Sequence, residues 1–185
     1  MTTSTMARGR WLTWANGLTG LRLFAAPVCA CAILAGAPHA AGWIFALAVA
    51  SDFADGRLAR RRGEASALGG LLDHATDATF VSLGLGALAY GGLVPALLPF
   101  LVAAAFLQYT LDSRALAGQP LRTSFLGRWN GVAYFVLLGI PVVRDFLGLG
   151  WPPPALVHGL GWLLVASTAA SMCDRALALR RLRST

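Results

Sequence analysis

The chain has 185 residues, 57% of them hydrophobic and only 12% charged, with a mean hydropathy of +0.64. A soluble domain of this length has too little interior to hide so much apolar surface, so one membrane-embedded domain over residues 1–185 is the simplest reading. The net charge is +7 and every basic residue is an arginine. These arginines cap apolar runs instead of covering one polar face, which argues against nucleic acid as a partner and fits anchoring at an anionic membrane surface.

Six apolar stretches reach the roughly 20 residues that a membrane helix needs. They run over 17–38, 39–60, 67–91, 93–114, 125–146 and 153–177, and together they predict an all-α bundle of six transmembrane helices. The first follows Arg8 and Arg10, and Ala35-Gly36-Ala37 resembles a signal-peptidase site. Asn16, Thr19 and Arg22 interrupt the continuous apolar core that a signal peptide requires, so the segment is read as a mature helix. Cys29 and Cys31 fall inside this run as small packing residues. With Cys173 they make an odd number and give no disulfide framework.

Between the second and third stretches stand Arg57, Arg60, Arg61 and Arg62. Arg114, Arg122 and Arg128 separate the fourth and fifth, and Arg175, Arg180, Arg181 and Arg183 close the chain. The alternate loops, around Pro38, Gly92 and Trp151, carry only Arg144. This alternation predicts that both termini face the cytoplasm. Trp151-Pro152-Pro153-Pro154 reads as an outer loop with an interfacial aromatic.

Half of the eight acidic residues fall at Asp52, Asp55, Asp73 and Asp77. Spacings of i, i+3 and i, i+4 put each pair on one helix face. The short basic loop around Arg61-Arg62-Gly63-Glu64 makes the two helices antiparallel neighbours, so the faces can meet. Four converging carboxylates repel one another strongly in a poorly screened setting, and a divalent cation compensates that repulsion. Oxygen ligands favour a hard ion, Mg²⁺ with Mn²⁺ or Ca²⁺ as alternatives, and four carboxylates suit two ions about 3.5–4 Å apart. Local ion pairing, for example Asp55 with Arg57 or Arg60, leaves Asp73 and Asp77 without an obvious partner nearby in sequence.

The segment Asp52-x-x-Asp55-Gly56-x-x-Ala59-Arg60, eight further residues, then Gly69-x-x-x-Asp73-x-x-x-Asp77 resembles the signature of the CDP-alcohol phosphotransferases at every defined position. Asn16-x-x-Thr19-x-x-Arg22 with Pro27 is similar to the opening of bacterial phosphatidylglycerophosphate synthases. The resemblance implies transfer of a phosphatidyl group from a CDP-linked lipid such as CDP-diacylglycerol to an alcohol, with release of CMP, in phospholipid biosynthesis. It implies that Asp52, Asp55, Asp73 and Asp77 hold two divalent ions, Mg²⁺ or Mn²⁺, and that Asp77 is also the general base. Gly56, Ala59 and Gly69 would shape the cytidine pocket, and Arg60 would grip the donor phosphates with Asn16, Thr19 and Arg22 close by. A homodimer in a bacterial inner membrane, with the site on the cytoplasmic side, belongs to the same expectation.

The acceptor is left open among glycerol 3-phosphate, serine, inositol phosphate and a lipid alcohol. Arg114, Arg122 and Arg128 could supply cations for a phosphorylated acceptor, and His74 could contact one. Two departures weigh against the glycerol phosphate assignment: Asp73-His74-Ala75-Thr76-Asp77 lacks the usual Asp-Pro, and Gly127-Arg128-Trp129-Asn130 stands in place of a Gly-Lys-x-Lys-Thr sequence. A metal-dependent membrane lipid pyrophosphatase and a divalent-ion transporter are the rival classes. The fixed Asp-Gly-Ala-Arg spacing argues against the first, and the lack of related halves argues against the second.

Overall fold

The computed structural model describes residues 14–62, 67–112 and 125–183, and the side chains within 19–53, 69–111 and 126–178. Regular structure among them is entirely helical: α1 (Trp14–Leu34), α2 (Pro38–Arg62), α3 (Ala67–Tyr90), α4 (Leu97–Asp112), α5 (Phe125–Phe146) and α6 (Pro154–Arg183). The all-α expectation holds, with one helix for each apolar stretch. Among the described residues, two segments, Leu126–Phe146 and Pro154–Ala178, are long and apolar enough to cross a membrane, while Thr19–Leu34 and Leu97–Leu111 are shorter apolar helical segments. The fourth helix starts later than its apolar run, just past Pro95, whose carbonyl accepts from Leu98 N at 3.0 Å. The sixth continues past its apolar run into the arginine-rich end.

Three connections close in the same way. α1, α3 and α5 each stop at a glycine in the left-handed region, Gly36 (φ 63°), Gly92 (φ 73°) and Gly148 (φ 63°). The next amide in each case reaches back across the turn: Ala37 N to Ala32 O at 3.0 Å, Leu93 N to Leu88 O at 2.9 Å, and Leu149 N to Arg144 O at 2.8 Å. This C-terminal motif needs a residue without a Cβ penalty at positive φ. It folds the chain into three tight antiparallel hairpins.

The hairpins assemble into a ring. α1 packs on α2, α2 on α5, α5 on α6, α6 on α4, α4 on α3, and α3 back on α1, while α3 and α5 also touch across the middle. The core runs along this diagonal. Phe80 and Leu85 of α3 and Leu138 of α5 are almost completely buried, and the Phe80 ring stacks on Phe135 with centroids 6.2 Å apart. Outside, Phe24, Trp43, Leu47, Phe53, Phe100 and Leu163 are each more than half exposed. So broad an apolar surface suits hydrocarbon better than water.

Helices approach closely where one side offers no side chain. A Cβ on Gly84 would stand 2.6 Å from Leu138 Cδ2, and one on Gly139 would stand 2.9 Å from the Phe45 ring. Gly42 lies under Phe146, and Gly161 lies against Pro95, each too close for a methyl. Small residues at helix contacts serve the same purpose in membrane proteins generally. Gly161→Ala therefore forces a methyl into the rigid Pro95 ring and lowers stability by about 1–3 kcal/mol. Gly86→Ala, where nothing lies within 4 Å of the new methyl, should be neutral or slightly stabilising. Thermal unfolding of the two variants in detergent compares them directly.

Candidate active site and metal centre

Three helices converge on one charged cluster. α2 brings Asp52, α3 brings Asp73 and Asp77 on one face, and α1 brings Arg22. Arg22 Nη1 lies 3.0 Å from Asp52 Oδ1, 3.0 Å from Asp73 Oδ1 and 2.7 Å from Asp77 Oδ1. The nitrogen donates to Asp73 and Asp77 as hydrogen bonds, while Asp52 is held as an ion pair. The arginine side chain is 0% exposed, against 46%, 36% and 26% for Asp52, Asp73 and Asp77. The cation is thus sealed inside the bundle while the carboxylates still open outward. Asp73 and Asp77 do have an ion-pair partner in Arg22, but not a local one, in keeping with the expectation from sequence. It stands 51 and 55 residues away along the chain.

One guanidinium does not balance three carboxylates, so the described residues leave an excess of negative charge here. Asp52, Asp73 and Asp77 each offer an oxygen within 4.8 Å of the others. An all-oxygen, net-negative donor set fits a hard divalent cation such as Mg²⁺ or Mn²⁺. Side chains from the expected ligand set are therefore gathered from two helices, with Asp73 and Asp77 on one face of α3 as their i, i+4 spacing required. The expected direct pairing of α2 with α3 is not what brings Asp52 to them: among the described residues both helices pack on α1, which lies between them. Asp55, Gly56, Ala59 and Arg60 lie on α2 and Asn16 on α1, and their side chains lie outside those described. Thr19 sits on α1 one turn before Arg22, and Gly69 on α3 one turn before Asp73.

A cavity of about 340 Å³ opens beside Asp52 and Asp77 and runs between α3, α4, α5 and α6. Most of its wall is apolar, including Val81, Val102, Phe106 and Phe135. Polar side chains are set into this wall, and several are held in place. Tyr134 Oη and Thr168 Oγ1 are 2.7 Å apart, Ser167 Oγ donates to Asn130 Oδ1 at 2.7 Å, and Gln108 Nε2 donates to the Met172 carbonyl at 3.1 Å. The amide Nδ2 of Asn130 and the hydroxyl of Tyr109 are buried in the wall without a hydrogen-bond partner. At the carboxylate end, His74 stacks on Tyr109 (centroids 5.8 Å, 17°) and the Arg175 guanidinium lies 5.0 Å from the Tyr109 ring centroid.

Of the residues expected near the acceptor, His74 and Arg128 line this cavity. Arg114 and Arg122 lie outside the described residues. Tyr109 and Tyr134, both buried, and Arg175, which the sequence marked only by its place at the C-terminal end, also border the cavity. Trp129, next to Arg128, is 58% exposed. A signal for the missed wall was available. Thr168, Ser171 and Arg175 recur at i, i+3 and i+7 on α6, and Asn130 and Tyr134 at i and i+4 on α5, so each set shares one face of an otherwise apolar helix.

With this geometry in view, comparison with known proteins is informative. A profile of the CDP-alcohol phosphatidyltransferase family matches residues 12–172. A cardiolipin synthase (CMP-forming) of Streptomyces coelicolor is 32% identical over 162 residues, covering 83% of this chain and 74% of that protein. Candidate cardiolipin synthases of Mycobacterium bovis and Mycobacterium tuberculosis are each 32% identical over 168 residues, covering 85% of this chain and 76% of theirs. The matched span takes in the α1 arginine, the carboxylates of α2 and α3 and the cavity-lining helices up to Met172, and the chain belongs to the CDP-alcohol phosphatidyltransferase family.

Proposed function

We propose that this protein, spanning a bilayer with its six helices, transfers a phosphatidyl group from a CDP-linked lipid to an alcohol and releases CMP. The observation that carries the reading is the placement of Asp52, Asp73 and Asp77 around one point at the mouth of a largely apolar cavity. A CDP-lipid has a pyrophosphate between a water-soluble nucleotide and buried acyl chains, so its reacting phosphorus lies where such a mouth meets the headgroup layer. Asp52, Asp55, Asp73 and Asp77 would hold divalent ions, whose chemistry is to neutralise charge on the pyrophosphate and the departing CMP. Arg60 would grip phosphate oxygens through its planar fork. Asp77 would take the proton of the acceptor hydroxyl as that oxygen bonds to the lipid-side phosphorus and the bond to the CMP oxygen breaks. Positioning and electrostatics then supply most of the rate, as in other phosphoryl transfers.

Among the acceptors left open by sequence, a lipid alcohol with a glycerol headgroup has the most support. Cardiolipin joins two phosphatidyl groups through one glycerol, so the names of the relatives point to an acceptor already carrying one of them. The apolar wall of Val81, Val102, Phe106 and Phe135 suits a lipid better than serine or a free sugar phosphate. Arg128, Arg175 and His74 line the cavity and would suit a single phosphodiester. Asn130 Nδ2 is a donor and suits an acceptor hydroxyl oxygen, not an ammonium.

CMP release by purified protein, given CDP-diacylglycerol and Mg²⁺ or Mn²⁺, tests both parts. Turnover with phosphatidylglycerol but not with glycerol 3-phosphate, serine or inositol phosphate is expected. CMP formed equally with no alcohol added would instead identify a pyrophosphatase. Asp77→Asn should lower kcat by at least about a hundredfold while CDP-diacylglycerol binding is kept; full activity in that variant removes Asp77 as the base. Arg175→Gln should raise KM for the acceptor about tenfold with little effect on donor binding, read from initial rates in mixed micelles.

A further inference from the structure

Arg22 Nη1 occupies the point that Asp52, Asp73 and Asp77 share. Its three contacts of 2.7–3.0 Å come from carboxylates on two helices, and the guanidinium is wholly enclosed. An ion coordinated by the same oxygens at about 2.0–2.6 Å claims the same place. Two positive centres cannot share it, because they repel strongly in a poorly solvated interior. A divalent ion with three carboxylates is also better matched in charge than a guanidinium with three carboxylates.

We infer that Arg22 is an exchangeable internal cation. It holds Asp52, Asp73 and Asp77 together before a divalent ion enters, and it yields the shared point when the ion arrives. The inference rests on the metal-dependent reading above and adds to it a specific competitor within the chain. A guanidinium committed to three carboxylates cannot also grip a donor phosphate through the same nitrogen. The contact with donor phosphates that the α1 motif implies for Arg22 therefore requires this same departure.

A scaffold arginine and an exchangeable one make opposite predictions for metal affinity. If Arg22 only braced the carboxylates, its removal would loosen them and weaken binding. As a competitor, its removal takes away both an occupant and a repelling charge, so binding strengthens. The full-length protein in detergent, without CDP-lipid, is titrated with Mn²⁺, and free Mn²⁺ is read by electron paramagnetic resonance. Arg22→Gln should bind Mn²⁺ at least about tenfold more tightly than the wild type, and Arg22→Lys, which keeps a cation on a long stem, should stay close to the wild type. Equal or weaker binding by Arg22→Gln overturns the inference while leaving the metal site standing. Failure of the wild type and both variants to bind Mn²⁺ overturns the metal reading and this inference together.

The wild type also carries the test alone if Arg22→Gln does not fold. With arginine-selective isotope labelling, the carboxylate-bound Nη of Arg22 is identified by its loss in Arg22→Lys. Saturating Mg²⁺ should shift or broaden that resonance as the hydrogen bonds to Asp73 and Asp77 are released. A resonance unmoved by saturating Mg²⁺ overturns the inference.

Discussion

Carboxylates gathered within a few ångströms of one another in an apolar bundle must have a positive charge among them. Repulsion at that range is hardly screened, and none of the apolar packing described could offset it several times over. Here the charge is Arg22, which reaches from α1 to carboxylates of α2 and α3. The arginine in turn tolerates full burial only because those carboxylates are there. An isolated buried guanidinium is strongly unfavourable, and breaking such a pair from either side leaves an uncompensated charge. Each half of the cluster is therefore the condition for the other. The packing of α1 on both α2 and α3 is the mechanical form of that dependence.

The ring of helices turns this local balance into a usable site. Because α3 and α5 touch across the ring, the bundle has two compartments. One is bounded by α1, α2, α3 and α5 and holds the arginine with its carboxylates. The other is bounded by α3, α4, α5 and α6 and holds the cavity. Asp77 belongs to both, as a partner of Arg22 and as part of the cavity wall. A charged centre and a mostly apolar chamber thus meet along α3. A lipid reaction needs that meeting, since its phosphates and its acyl chains require opposite surroundings.

Much of this was legible in the chain itself. Helices longer than a few turns announce themselves by continuous apolar composition, and Asp73 and Asp77 could be placed together from their i, i+4 spacing; Asp52 joins them through α1, which packs on both α2 and α3. Arg22 was visible as an odd residue in α1, but its partners are 51 and 55 residues away, and helix order around the ring is not encoded in any local pattern. For the same reason the glycines that meet large side chains, such as Gly84 under Leu138, could not be told from glycines that meet nothing, such as Gly86. The cavity wall was missed because a buried tyrosine and an interfacial one look alike in sequence. Only packing shows that Tyr109 turns its hydroxyl into the protein.

α3 has a double part in this molecule. It carries Asp73 and Asp77, and over the next one to three turns it carries Phe80, Val81, Leu85 and Leu88 of the buried core. A rigid rod transmits a shift at one end to the other, so a change that repacks the core around Phe80 also moves the carboxylates. Directed evolution for a hardier enzyme would therefore meet a conflict along this one helix, where gains in stability are most easily bought with lost turnover. Substitutions at exposed positions of α6 such as Trp162 and Leu163 avoid that conflict, because those side chains belong neither to the core around Phe80 nor to the cavity wall. The protein's tolerance to change is set less by which helix a residue stands on than by whether its side chain packs against the groups that hold the chemistry.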